Sequence, residues 1–321
     1  MQWALQGKAT MKLAFVFPGQ GSQSVGMMTG YAGLAQIDET LAAADTALGT
    51  PITALIASGP AEDLNVTTNT QPAMLAGDVA VWNAWLAAGG PKPLMVAGHS
   101  LGEYAALVAS GSLDFASAMK LVKARSQAMQ DAVPAGVGGM AAVLGIEPGP
   151  LTEVCEKASQ GEVVACCNLN APGQIVIGGH KTAVERAIVL AKEAGAKRAM
   201  LLPMSVPSHC ELMRPAAAAL ASALNAAAFA PPQIAVIHNA TVDVAGDAAA
   251  IRAVLADQLF KPVRWIETVE KMAAQGVTHI IECGPGKVLA GMVKRIAPDV
   301  KCLTLADKAS FEAALAELRD Y

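Results

Sequence analysis

The sequence predicts an α/β protein: a parallel sheet with helices between its strands, interrupted midway by a smaller unit with its own rhythm. Three observations carry this expectation. Short apolar runs alternate with helix-like segments along most of the chain, the pattern of a parallel sheet with crossover helices. The alternation breaks at Val133-Pro134-Ala135-Gly136 and resumes after Ser205. Between those points the order becomes strand-helix-strand-strand-helix-strand.

The elements follow in chain order. Lys12–Phe17 reads as a strand because its apolar run is short and continuous. Ala32–Leu48 and Met74–Ala87 read as helices, being longer and rich in helix formers. Leu94–Gly98 is a strand, followed by helices at Leu101–Ser110 and Phe115–Ala132. In the inserted unit, Met140–Leu144, Val163–Asn168, Gln174–Ile177 and Arg198–Pro203 read as strands. Gly149–Ser159 and Thr182–Ala194 read as helices. This βαββαβ order is the ferredoxin-like split unit. Afterwards come helix Ala216–Ala228, strand Ile234–His238, helix Ala248–Leu259, strand His279–Glu282 and helix Val288–Ile296. The expected domains are therefore 1–135 with 206–321, and 136–205. A strong strand begins just after Met11, so residues 1–10 read as a dispensable extension.

Composition removes several function classes. No apolar run reaches the ~18 residues of a membrane helix; the closest, Ala216–Ala230, contains Ser222 and Asn225. The first ten residues lack the basic start and long apolar stretch of a signal peptide. Six cysteines (155, 166, 167, 210, 283 and 302) show no Cys-x-x-Cys spacing and read as reduced thiols in a cytoplasmic protein. No metal-ligand spacing stands out. A net charge of −4 and an aromatic content of 4% argue against nucleic-acid binding. Nothing demands more than one copy, so a monomer is expected.

The chemistry concentrates at Gly98-His99-Ser100-Leu101-Gly102, between a strand and a helix. That context is the Gly-x-Ser-x-Gly nucleophile elbow, in which a sharp turn presents the serine. The Leu101 N–H is then free to face a developing oxyanion. Ser100 needs a general base, since a free hydroxyl is a weak nucleophile. His99 is too close in sequence, and its side chain diverges from its neighbour's. His180 and His279 read as structural. His238, at a strand end, and His209, in a loop, are both placed to serve, and position alone does not choose between them.

Three other motifs are weighed. Pro18-Gly19-Gln20-Gly21-Ser22-Gln23-Ser24-Val25-Gly26 nearly matches a dinucleotide fingerprint, but Ser24 stands where a third glycine belongs. It is either an ordinary strand-to-loop turn or a backbone approach to Ser100. Gly284-Pro285-Gly286-Lys287 reads as a structural turn. Arg125, near Lys120 and Lys123, reads first as part of a solvated basic helix face; the sharper alternative is a buried guanidinium that grips a substrate carboxylate.

Together, Phe17-Pro18-Gly19-Gln20-Gly21-Ser22-Gln23, Thr70-Gln71-Pro72-Ala73, Gly98-His99-Ser100-Leu101-Gly102-Glu103, Arg125, Pro207-Ser208-His209 and Gly284-Pro285-Gly286-Lys287 resemble the malonyl-CoA:acyl carrier protein transacylases, in order and over nearly the whole chain. The resemblance implies an α/β-hydrolase-like large domain with a ferredoxin-like small one. It implies Ser100 as the acylated nucleophile, His209 as base and then acid, and the N–H groups of Gln20 and Leu101 as the oxyanion hole. It also implies Arg125 as a clamp on the malonyl carboxylate. A main-chain carbonyl, matched by Gln258, would orient His209, with no acidic third member. Gln71 and Asn239 would line the cleft. The partners implied are malonyl-CoA and acyl carrier protein, with no cofactor bound by the enzyme itself.

Two clusters, Lys287 with Lys294 and Arg295, and Lys192 with Lys197 and Arg198, are candidate docking patches for an acidic carrier. His238 departs from the family, which carries a different polar residue there. The alternatives kept open are a serine thioesterase or other hydrolase, a polyketide acyltransferase, and a carrier-binding subunit without catalysis.

Overall fold

The computed structural model describes residues 11–204 and 206–319; the expected extension at 1–10 lies outside them. Strand β1 (Leu13–Phe17) is buried along its whole length, as a strand covered on both faces must be. Helices α1 (Ala35–Leu48), α2 (Ile52–Ser58), α3 (Ala61–Leu64) and α4 (Thr67–Ala87) follow. Then come β2 (Met95–Gly98), α5 (Gly102–Ala109) and α6 (Phe115–Asp131). Asp114 caps α6 by accepting from Ser117 N at 2.9 Å.

The middle of the chain forms β3 (Gly138–Leu144), α7 (Pro148–Ser159), β4 (Val164–Ala171), β5 (Gln174–His180), α8 (Lys181–Glu193) and β6 (Arg198–Leu201). Beyond it lie α9 (Arg214–Ala226), β7 (Ala235–Ile237), α10 (Ala248–Gln258), α11 (Trp265–Ala274), β8 (His279–Glu282), α12 (Val288–Ile296), β9 (Lys301–Thr304) and α13 (Lys308–Glu317).

Two sheets result. The first has the order β7-β2-β1-β8-β9, and all its pairs are parallel. Its faces are covered separately. Leu13, Phe15 and Phe17 pack into one core with α4, α5 and α6, while Ala14 and Val16 pack into another with α11 and α12. That split is the two-residue period of a strand buried on both sides. The second sheet has the order β4-β5-β3-β6 and is antiparallel throughout. A parallel bridge between Asn168 and Val263 joins β4 to the larger part, with Val263 N donating to Cys167 O and Leu169 N to Val263 O.

Several elements differ from the sequence expectation. Helix α4 starts at Thr67, ahead of the expected Met74, and runs through Pro72. Proline lacks the N–H that would bond Thr68 O; Lys123 Nζ donates to that carbonyl instead, at 3.1 Å. Helices α2, α3, α11 and α13 and strand β9 were not expected. β9 is an edge strand with no fully buried residue, so it carries little of the apolar signal that marks a strand.

Candidate active site

Parallel pairing sets the site. Register Phe17↔Gly98 brings the chain leaving β1 beside the chain leaving β2, and His99 N donates to Phe17 O at 3.0 Å. The turn that follows puts Ser100 in the left-handed region, at φ 52°, a conformation that costs a non-glycine residue ~1–2 kcal/mol. The glycines around it are forced by backbone contact. A Cβ on Gly98 would stand 1.9 Å from Gly102 C, and one on Gly102 would stand 2.1 Å from Phe17 O. One on Gly19 would stand 2.4 Å from His99 O. This last contact decides between the two readings of the Pro18–Gly26 segment, because the glycine lets the β1 loop lie against the elbow. The N–H groups of Gln20 and Leu101 have no hydrogen-bond partner among the described residues, and both residues line the cavity above Ser100.

His209 is buried and stands in the left-handed region at φ 63°. Ser100 Oγ and His209 Nε2 are 2.7 Å apart, and His209 Nδ1 is 2.7 Å from the main-chain carbonyl of Gln258. A carbonyl only accepts, so Nδ1 carries the proton and Nε2 offers a lone pair to the serine hydroxyl. Burial, and after it the nearby Arg125 charge, pull the imidazole down to about 3. The ring is therefore neutral and able to take a proton from Ser100 at neutral pH.

The other histidines lie elsewhere. His238 is fully buried with Nδ1 2.7 Å from Glu103 Oε1. His99 faces Asn170 Oδ1 at 2.8 Å and packs edge-on to Trp265.

Arg125 is 1% exposed, whereas Lys120 and Lys123 on the same helix are exposed; the solvated-face reading holds for the lysines and fails for the arginine. Its Nη1 donates to Gln71 Oε1 at 2.5 Å and its Nη2 to Gln258 Oε1 at 2.8 Å. Nη2 also reaches Ser100 Oγ at 3.2 Å. Tyr104 lies beneath, with its ring centre 5.6 Å from the guanidinium carbon. Burial lowers the arginine pKa.

Gln71 lines the cavity. Asn239 does not. It has no exposed surface; its Oδ1 accepts from Ser100 N at 2.7 Å and its Nδ2 donates to Gly98 O at 2.7 Å. Its carboxamide is used up in holding the elbow from below. The far wall of the cavity comes from the second sheet, through Met140, Asn168, Asn170 and Val176.

Sequence reasoning gave no role to Glu103 or to the Gln258 side chain, both central here. The available signal was a carboxylate one residue into a helix otherwise made of small and apolar residues. Among the described residues, no group of three or more histidine, cysteine or carboxylate side chains is placed to hold a metal ion, and no helix is long and apolar enough to cross a membrane.

Comparison with known proteins gives the family. Residues 14–310 match the acyl transferase domain. The chain is 51% identical over 307 residues to the malonyl CoA-acyl carrier protein transacylase of Salmonella typhimurium, covering 95% of this chain and 99% of that one. An acyl-carrier-protein S-malonyltransferase from Burkholderia pseudomallei superposes with a TM-score of 0.94 at 53% identity, covering 95% of this chain and all of that one. A malonyl-transacylase solved in complex with its type II PKS acyl-carrier protein superposes with a TM-score of 0.94 at 47% identity, covering 95% and 99%.

Proposed function

The chain belongs to the acyl transferase domain family, and from that membership we propose that it transfers malonyl from malonyl-CoA to the phosphopantetheine thiol of acyl carrier protein, supplying fatty acid synthesis. The observation that carries this reading is a buried arginine, bonded to no carboxylate among the described residues, 3.2 Å from a serine that shares a hydrogen bond with a neutral histidine.

Ser100 Oγ attacks the thioester carbonyl while His209 Nε2 takes its proton. The carbonyl oxygen, now negative, rests against the N–H groups of Gln20 and Leu101. Each such donor is worth about 3–4 kcal/mol in the transition state. The intermediate collapses, the C–S bond breaks, and His209 returns the proton to the coenzyme A sulfur. Malonyl-Ser100 then meets the carrier's thiol; His209 takes the thiol proton, sulfur attacks the ester carbonyl, and the proton returns to Ser100 as malonyl leaves. No cofactor is needed, since phosphopantetheine travels on the carrier.

Arg125 holds the distal malonyl carboxylate. Each terminal nitrogen carries two hydrogens; Gln71 takes one on Nη1, while Gln258 and Ser100 Oγ share the two on Nη2, so a two-point grip uses the free hydrogen of Nη1 and, in place of Ser100 Oγ, the second hydrogen of Nη2. Gln258 serves twice, orienting His209 through its carbonyl and Arg125 through its side chain. Asn239 is assigned to the elbow, not the substrate.

We read residues 1–135 with 206–321 as an α/β-hydrolase-like catalytic unit and 136–205 as a ferredoxin-like unit that walls the cleft. The enzyme acts as a cytoplasmic monomer. Of the two basic clusters, Lys287, Lys294 and Arg295 are exposed on the α12 segment, whose Val288, Leu289 and Met292 line the cavity. No residue of Lys192, Lys197 or Arg198 does so. The carrier therefore docks at the first cluster.

The test is an initial-rate study with both substrates varied. Parallel double-reciprocal lines are expected for a covalent malonyl-enzyme; intersecting lines would contradict it, and malonate release without carrier would point to a hydrolase.

A further inference from the structure

Glu103 and His238 form a buried hydrogen-bonded pair beneath the site, and the reaction just described uses neither. Both are fully buried. Glu103 sits in the first turn of α5, one residue beyond the elbow. Its Oε1 faces His238 Nδ1 at 2.7 Å. Its Oε2 accepts from Asn239 N at 2.9 Å and from Gln258 Nε2 at 3.1 Å. Each of those two partners holds a different part of the machinery. Asn239 grips the elbow through Ser100 N and Gly98 O. Gln258 grips the arginine through Oε1 and Ser100 O through Nε2.

We propose that Glu103, held in place by His238, is the positioning residue that keeps the nucleophile elbow and the arginine clamp in one register. The inference rests on the acyl-transfer reading above.

The chemistry of the amide supports it. Gln258 must turn its oxygen to Arg125 and its NH₂ to Glu103 and Ser100 O. The reverse orientation would set NH₂ against guanidinium N–H and oxygen against both a carboxylate and a carbonyl. A carboxylate enforces this choice because it only accepts. A glutamine at 103 carries its own donors and removes that demand. His238 completes the arrangement: its Nδ1 has the Glu103 oxygen, while its Nε2 has no partner among the described residues. The ring is thus committed to one contact, and that contact fixes Oε1 so that Oε2 points at Asn239 and Gln258.

The pair also accounts for an otherwise costly placement. A buried carboxylate needs strong hydrogen bonds to remain tolerable, and this one has three, from the adjacent His238 and Asn239 and from Gln258. None of the three is a substrate contact, so the pair acts on the reaction only through Asn239 and Gln258.

The test compares Glu103→Gln, His238→Leu and His238→Asn with the wild type, using kcat and KM for malonyl-CoA and acetyl-CoA, each rate divided by the fraction of enzyme that forms an acyl-serine. A misplaced catalytic group commonly costs roughly 10- to 100-fold. Glu103→Gln is expected to lose kcat in that range with both substrates and also to lower the malonyl-to-acetyl ratio of kcat/KM. His238→Leu should move both quantities in the same direction. His238→Asn, whose NH₂ can donate to Glu103, should restore both to within roughly threefold of wild type, because it returns one donor to the same carboxylate. A lowered unfolding temperature with kcat per active site and the substrate ratio unchanged in Glu103→Gln and His238→Leu overturns the proposal, leaving the pair a stabilising contact only. The same holds if His238→Asn is as impaired as His238→Leu. A wild-type enzyme that forms no malonyl-serine overturns the acyl-transfer reading and this inference with it, and that result is visible before any variant is made.

Discussion

Arg125 Nη2 stands 3.2 Å from Ser100 Oγ, and the other hydrogen-bond partners of this guanidinium among the described residues are two amide oxygens. A buried positive charge that lacks a carboxylate partner, beside a nucleophile, leaves a place for one brought by the substrate. A guanidinium left unpaired by an acyl group without that carboxylate costs about 3–5 kcal/mol. Arg125→Ala is expected to lose most of the preference for malonyl-CoA over acetyl-CoA and to gain in relative acetyl transfer. Competition kinetics check this; an unchanged ratio of kcat/KM would remove the clamp.

Gln258→Ala separates two duties of one residue. The main-chain carbonyl that faces His209 Nδ1 survives the change, whereas the oxygen held by Arg125 is lost. A hydrogen bond to a charged group is worth about 1.5–3 kcal/mol. Malonyl kcat/KM should fall by that much, and acetyl transfer should fall less. Equal losses with both substrates would mean that the side chain serves the elbow through Ser100 O, not the clamp.

Acid should affect catalysis later than an ordinary histidine base would allow. His209 is held down to about 3 from its usual 6.5, by burial first and then by Arg125. The kcat/KM profile reports the free enzyme, so its acid limb should lie below pH 5, with no inflection near 6.5. Stability carries the opposite signature. The unfolded chain's histidine takes a proton near 6.5 while the folded one does not. The unfolded state thus binds more protons between about 6.5 and about 3, and this group's contribution to stability falls as pH drops through that window. Denaturant titrations at pH 7 and pH 5 should show the decline. An acid limb at 6.5 would mean that His209 titrates as if exposed.

Gly102→Ala tests the elbow's packing. The added Cβ would meet Phe17 O at 2.1 Å, and a central strand cannot move aside as a flexible side chain could. A loss of about 3 kcal/mol or more is expected, read as a lower unfolding midpoint. A variant as stable as wild type would show that α5 can shift away from β1.

Much of this was legible in the sequence, for definite reasons. Ser100 was visible because an elbow needs small residues at fixed spacing, and Gly98 and Gly102 are in backbone contact here. The strands of the parallel sheet were visible because burial on both faces demands continuous apolar runs. What the sequence hid depends on the third dimension. Arg125 shares a helix with two exposed lysines, and only the packing of α6 turns one cation inward. Asn239 was expected in the cleft, yet its amide matches the two main-chain groups of a turn far away in the chain. His209 and His238 were indistinguishable by position. Geometry separates them, because one faces Ser100 and the other faces Glu103. Edge strand β9 carried too little local pattern to be expected, whereas helix α11 does show helical apolar spacing at Trp265, Val269 and Met272, a signal that sequence reasoning passed over.

The most direct measurement is intact mass with peptide mapping after brief exposure to malonyl-CoA and, separately, to acetyl-CoA. A single malonyl adduct on Ser100, cleared by added acyl carrier protein, absent from Ser100→Ala and accompanied by little acetyl adduct, is the expected result. An adduct on another residue, or transfer to the carrier by Ser100→Ala, would contradict the assignment of Ser100 as the acyl-bearing nucleophile.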